Sequence, residues 1–247
     1  MTTLLRVADL RITLGTRNGP VDVIHGLSFA VGKGETLGLV GESGSGKSIT
    51  AMSLVGLAPP GTTLHLKGTA DFDGVDLVAL HPRDMRALRG KRIGVVFQDP
   101  GAALDPLMNA ADHIREALPR GLTRANADHR IDALLAEVGL GEVPNVRRRF
   151  AHELSGGQQQ RVVIASALAG DPELLIADEP TTALDMSVQA QILELLGSLQ
   201  RARGMAMLLI THDLGVVMRH SSRVVVLRRG SAVDAGQTHS VLGAPRN

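Results

Sequence analysis

The chain has 247 residues, enough for one α/β domain or two small ones around a sizeable core. Its net charge of +1 offers no general electrostatic pull toward nucleic acid or an anionic membrane, and with no Trp, no Tyr and four Phe it has little on which to stack single-stranded bases. The absence of cysteine excludes disulfides and thiolate metal sites and is compatible with a reducing compartment, while no apolar run approaches the 18 residues of a membrane-spanning helix.

The N-terminus, Met-Thr-Thr-Leu-Leu-Arg-Val-Ala-Asp, has no basic stretch followed by an apolar core, so no signal peptide is expected. Residues 4–14, 21–31 and 64–72 have strand character, with turns at Asn18-Gly19-Pro20 and Gly32-Lys33-Gly34. They predict a small antiparallel sheet on the edge of the core. Short apolar runs at 36–40, 92–97, 174–177, 206–211 and 224–227 predict buried strands of a parallel sheet. Amphipathic stretches at 131–138, 158–169 and 187–201 predict helices between them, and that alternation is the pattern of an α/β sheet with crossover connections. Residues 99–170 contain no strand signal and predict a helical insertion, with residues 120–126 joining two helices. The basic run Arg147-Arg148-Arg149 reads as a solvated face before it reads as an anion site.

Gly41-Glu42-Ser43-Gly44-Ser45-Gly46-Lys47-Ser48 fits G-x-x-x-x-G-K-[ST], the phosphate-binding loop. It lies between the strand at 36–40 and a helix expected over 48–55, which is the context the motif needs. Glycines let backbone N–H groups wrap around phosphate oxygens, and the helix start adds its dipole. Lys47 is placed to reach the terminal phosphates and Ser48 to offer its hydroxyl to Mg²⁺. The strand at 174–177 runs into Asp178-Glu179; beside such a loop Asp178 is expected near the metal, and Glu179 just beyond it can take a proton from water. Leu154-Ser155-Gly156-Gly157-Gln158 opens another helix, where the same residues can serve as a plain N-cap or as a second anion-binding helix start.

Together these motifs resemble the ATP-binding subunits of ABC transporters. Leu154–Gln158 is similar to the family's signature sequence, Gln98 to its Q-loop glutamine, Thr182-Ala183-Leu184-Asp185 to its D-loop and His212 to its switch histidine, all in the family's order over roughly residues 4–243. The resemblance implies a P-loop NTPase fold with a RecA-like parallel sheet core, an N-terminal antiparallel β subdomain and an inserted helical subdomain. It implies one ABC ATPase domain over 1–247, with 1–98 and 171–247 as nucleotide-binding core and 99–170 as helical subdomain. Two such domains would sandwich two ATP molecules head to tail. The loop from Gly41 to Ser48, with Ile49, would hold ATP from one side, and Ser155, Gly156, Gly157 and Gln158 of the other protomer would complete the site. Ser48, Gln98 and Asp178 would hold Mg²⁺, Glu179 would be the general base, His212 would contact the γ-phosphate, and Asp185 would couple the two sites.

Val95-Val96-Phe97-Gln98-Asp99-Pro100, followed by Leu104-Asp105-Pro106, resembles a stretch of the oligopeptide, dipeptide and nickel importers. This implies two permease chains, a second ATPase subunit expected to be a different chain with a homodimer as the alternative, an extracytoplasmic binding protein, and a peripheral position on the cytoplasmic face of the membrane. Peptides and nickel or metal chelates both remain open as cargo; the missing tyrosines and the end at Ala244-Pro245-Arg246-Asn247 lean toward nickel. The rival reading is a soluble ABC ATPase acting on nucleic acid or ribosomes. It is disfavoured because only 57 residues separate Gln98 from Ser155, too few for a long coiled coil, and one ABC domain is present instead of two. Where relatives stack adenine on an aromatic ring, the aligned residue is Leu14, which lacks the π-face contribution of about 1 kcal/mol and predicts weaker discrimination between ATP and GTP.

Overall fold

The computed structural model describes residues 2–182 and 184–243. The chain forms two compact units, Met1–Leu88 with Gly204–Asn247 and Arg89–Arg203. The first unit opens with β1 (Thr3–Thr16), β2 (Gly19–Gly32), β3 (Thr36–Val40), α1 (Lys47–Leu54), β4 (Thr63–Phe72), the short β5 (Val75–Asp76) and α2 (Pro82–Leu88). The second holds β6 (Ile93–Val96), α3 (Pro100–Ala103), α4 (Ala110–Ala117), α5 (Arg124–Glu137), α6 (Gly156–Ala167), β7 (Leu174–Asp178) and α7 (Met186–Arg203). The chain then returns to the first unit with β8 (Ala206–Thr211), α8 (Leu214–His220), β9 (Arg223–Arg228), β10 (Ser231–Gln237) and α9 (Thr238–Gly243).

In the first unit, β1 pairs antiparallel with β2 and with β4, and β5 adds to β4, as the sequence predicts for an antiparallel sheet. Leu10, Ile12 and Leu14 of β1 are buried and Arg11 between them is exposed, the period-two pattern of a sheet with one covered face. The second sheet of this unit is built on β3, which pairs in parallel with β8 and β9. Every residue of β3 and β8 is buried, so both read as unbroken apolar runs. The antiparallel edge strand β10 had no such signal; Ser-Ala-Val-Asp-Ala-Gly-Gln leaves most of its side chains exposed or half-buried. Two backbone bonds tie these layers together. His25 N–H donates to the Gly230 carbonyl at 2.8 Å, and Gly230 N–H donates to the Ser45 carbonyl at 3.0 Å, so the β9–β10 turn bridges β2 and the 41–48 loop.

In the second unit β6 and β7 pair in parallel, from Ile93 opposite Leu174 to Val96 opposite Ala177. Arg92 and Glu173 lock the start of both strands with a two-pronged ion pair, Nη2 to Oε2 at 3.0 Å. Among the described residues the stretch between these strands is helical, with 3₁₀ turns at Val146–Arg148 and Ala151–Glu153. This compact unit is wider than residues 99–170, because it also takes in β6, β7 and α7. Helix α5 begins at Arg124, inside the expected 120–126 connection, because Thr123 caps it by accepting from the Asn126 N–H. Its first turns are polar and carry no apolar stripe, which is why periodicity placed the start at 131. Arg147 is no free solvated charge. It pairs with Asp128 and Asp132, and together with Arg115 it holds the Asp128 carboxyl below its ordinary pKa range; the Arg115 and Arg147 hydrogen bonds are the chief cause.

Candidate nucleotide site

The phosphate loop leaves the C-terminal end of β3 and enters α1. Gly46 sits at the N-cap with φ 104° and contributes no side-chain cap, so the first-turn amides of α1 face outward from a bare backbone. A Cβ there would be strained in that conformation and would approach Ile24 Cδ1 to 2.5 Å. Lys47 is only 4% exposed; its Nζ donates to the carbonyls of Gly41 at 2.8 Å and Glu42 at 2.9 Å, which curls the loop around the ammonium. The Ser45 hydroxyl is buried without a hydrogen-bond partner among the described residues. Bare amides, a buried cation and an orphaned hydroxyl in one loop fit a phosphate group.

His212 follows Thr211, which lies opposite Val40 in the parallel β3–β8 ladder. The loop and the histidine therefore leave the same edge of one sheet, at the strand C-terminal ends where ligands of open α/β sheets bind. His212 is exposed, and Asp213 behind it caps α8 by accepting from Gly215 N–H at 2.7 Å and Val216 N–H at 3.3 Å. Leu14, by contrast, is 8% exposed on the buried face of β1, opposite Val21 and Leu64, and presents little surface to a base.

The second unit repeats this logic. Asp178 ends β7 and is 4% exposed; Gln98 lies two residues past β6, exposed at the same C-terminal edge. Glu179 adopts φ 44°, an uncommon conformation for a non-glycine residue and one that clusters at functional sites. Its Oε2 accepts from the Thr182 hydroxyl at 2.9 Å, a contact that sequence reading missed because nothing in the motif marks Thr182 as a partner. Among the described residues no group of three or more His, Asp or Glu could hold a metal. Within this unit the Gln98 amide and Asp178 offer oxygen donors, the ligand type that suits Mg²⁺.

Ser155 caps α6 with a reciprocal capping box: its Oγ accepts from Gln158 N–H at 3.3 Å and Gln158 Oε1 accepts from Ser155 N–H at 3.1 Å. Ser155 and Gly156 are exposed, so the capped helix start is presented at the surface. Gly157 packs so tightly on Val188 that a Cβ would meet its Cγ1 at 2.6 Å.

The D-loop stretch includes Ala183, which lies outside the described residues. Asp185 Oδ1 accepts from Val188 N–H at 3.0 Å, Ser187 N–H at 3.1 Å and the Ser187 hydroxyl at 2.7 Å. The Val188 bond first and the Ser187 hydroxyl second hold its carboxyl below the ordinary range. A depressed folded-state pKa contributes stability above the unfolded value and loses it as pH falls through the folded one. Asp185→Ala is therefore expected to melt below wild type at pH 7, with the gap narrowing under acid below about pH 4. A gap that stays constant down to pH 3 in thermal melts contradicts the assignment.

The ABC transporter family profile matches residues 24–182. The chain is 45% identical over its whole length to the oligopeptide transport ATP-binding protein OppD of Bacillus subtilis, of which it spans 70%. It is 41% identical over its whole length to the dipeptide transport ATP-binding protein DppD of the same organism, spanning 74%, and 46% identical over 99% of its length to the peptidoglycan transport ATP-binding protein YejF of Agrobacterium fabrum, spanning 45%. Among solved structures, a dimeric ATP-binding cassette in a post-hydrolysis state bound to ADP and phosphate superposes with TM-score 0.82 at 27% identity, covering 95% of this chain and 98% of that one. With the phosphate loop, the paired carboxylates and the signature helix each set at a strand or helix end, the chain belongs to the ABC transporter family, as an ATP-binding subunit.

Proposed function

We propose that this chain is the ATP-hydrolysing subunit of an importer and energises peptide uptake through a separate membrane permease. The observation that carries this is the similarity, over essentially the entire chain, to oligopeptide and dipeptide transport ATP-binding proteins at 40–45% identity. Those names favour peptides over nickel or a metal chelate as cargo.

The chain acts as one ATPase domain with 99–170 as its helical subdomain. Residues 41–48 and Ile49 cradle the phosphates of ATP, and Leu14 contributes a small apolar contact to the base. Bound Mg²⁺, held by Ser48, Gln98 and Asp178, would neutralise phosphate charge. Glu179 accepts the proton of the attacking water at its carboxylate, Gln98 orients that water, and His212 meets the γ-phosphate. Ser155, Gly156, Gly157 and Gln158 of a second ATPase subunit close the site from the opposite side, and Asp185 links the two sites. That second subunit is a different chain, the assembly includes two permease subunits and an extracytoplasmic binding protein, and this chain sits peripherally on the cytoplasmic face of the membrane. Among the described residues no helix is long and apolar enough to cross a membrane, in keeping with a permease contributed by other chains.

The test is reconstitution of the chain with its permease, binding protein and partner ATPase in sealed vesicles. ATP-dependent accumulation of a labelled oligopeptide is expected. Accumulation of nickel alone would replace the cargo; accumulation of neither, with turnover stimulated by nucleic acid or ribosomes, would overturn the reading.

A further inference from the structure

Leu14 is 8% exposed and turned into the packed face of β1, which leaves the base end of a nucleotide without a platform there. Directly opposite Leu14 in the β1–β2 ladder stands Val21, and Val21 is 51% exposed. A single exposed valine is ordinary. Its position is what matters.

That position is set by a register shift. Ile12 lies opposite Ile24 and Leu14 opposite Val21, so three steps along β2 answer two along β1, and Val23 is the extra residue of a β-bulge. Opposed residues of an antiparallel pair share a face, and so do residues two apart on one strand. Ile12 and Leu14 therefore hold Ile24 and Val21 on one face, where unbroken alternation along β2 would set them on opposite faces. Ile24 is the residue that meets the phosphate loop. A Cβ built on Gly46 would stand 2.5 Å from Ile24 Cδ1 and 3.5 Å from Val23 Cγ1. Two strand steps, about 7 Å, carry that face from the start of α1 to Val21. A ribose and its linking phosphate have a comparable reach. Two hydrogen bonds fix this end of the ladder before any ligand arrives: the Thr13 hydroxyl donates to Asp22 Oδ1 at 2.6 Å, and the Thr16 hydroxyl donates to the Gly19 carbonyl at 2.7 Å.

We propose that Val21 is the platform for the base of the bound nucleotide, with Val23 beside the ribose, and that the bulge at Val23 aims it there. This rests on the ATPase reading above and gives Val21 a larger share of the base contact than Leu14. The platform is aliphatic and makes no hydrogen bond to a base edge, so it receives adenine and guanine alike.

The test is equilibrium binding of ATP, GTP and inorganic tripolyphosphate, each with Mg²⁺, to the full chain by titration calorimetry. Tripolyphosphate engages the phosphate loop and has no base to seat. Val21→Ser is expected to weaken ATP and GTP alike, by about three- to tenfold, the worth of one or two buried methyl groups. Val21→Tyr is expected to tighten ATP by roughly fivefold or more, because a ring offers the base a face on which to stack. Both variants keep tripolyphosphate affinity within twofold of wild type. ATP affinity within twofold of wild type in Val21→Ser overturns the proposal, as does failure of Val21→Tyr to tighten ATP. Equal losses for ATP and tripolyphosphate overturn it too, because they mark damage to the loop and not a lost base contact. Should Leu14→Ala weaken ATP more than Val21→Ser at equal folded fraction, the base lies on β1 and the proposal fails. A wild-type chain that binds neither ATP nor tripolyphosphate would sink the ATPase reading and the proposal together. Binding of both by wild type, with the Val21 variants unchanged, would sink the proposal alone.

Discussion

Lys47→Ala is expected to weaken ATP binding at least 100-fold while leaving the chain folded. The ammonium is 4% exposed and held by the Gly41 and Glu42 carbonyls at 2.8 and 2.9 Å. It is therefore already in place before a phosphate arrives, and no ordering cost is left to oppose the attraction. Removing one preorganised donor to an oxyanion costs about 10²–10³-fold, or about 3–4 kcal/mol. The fold is affected less. The variant loses charge-assisted bonds worth about 1.5–3 kcal/mol each, but it also escapes the cost of burying an ammonium. Equilibrium binding of a fluorescent ATP analogue, with a urea midpoint on the same samples, separates the two effects. Binding within tenfold of wild type would show that the helix start and loop amides carry the phosphate without Lys47.

Much of the first unit was legible because its strands obey simple rules. The runs at 36–40 and 206–211 are buried on both faces, so composition alone delimits them, and both match the observed strands residue for residue. β1 alternates, and alternation is as readable as an apolar run. What escaped was structure defined by pairing or by caps instead of hydrophobicity. β10 is an edge strand with mostly exposed or half-buried side chains, α8 is a seven-residue helix started by Asp213, and the polar first half of α5 depends on Thr123.

The site divides the same way. The phosphate loop, Asp178-Glu179 and Ser155–Gln158 were visible because spacing and residue type are what the chemistry requires. Leu14 was placed by alignment to a pattern, and the structure buries it. The Thr182 hydroxyl on Glu179 was invisible, since residue type alone does not say which neighbour in a turn a carboxylate accepts from. The left-handed backbone at Glu179 was equally hidden, because nothing in Ala177-Asp178-Glu179-Pro180 announces a positive φ.

That backbone bears on the outcome for Glu179→Gln, which is expected to cut ATP turnover 10²–10⁴-fold, about 3–5 kcal/mol of transition-state stabilisation, and to leave ATP bound. Glutamine has the same length and inherits the same φ of 44°, so whatever strain the position carries is unchanged. Its amide oxygen can still accept from the Thr182 hydroxyl, which sits 2.9 Å from the carboxylate. What it lacks is a basic oxygen to take the proton of water. Replacing the carboxylate also removes a negative charge next to Asp178 and beside the expected triphosphate, so binding is held or tightened while chemistry stops. The measurements are steady-state phosphate release and the fraction of labelled ATP that survives rapid desalting. Turnover within tenfold of wild type would move the general base elsewhere. Low turnover without retained ATP would instead place Glu179 in the binding step, and the signature helix of the second subunit would then have nothing to close upon.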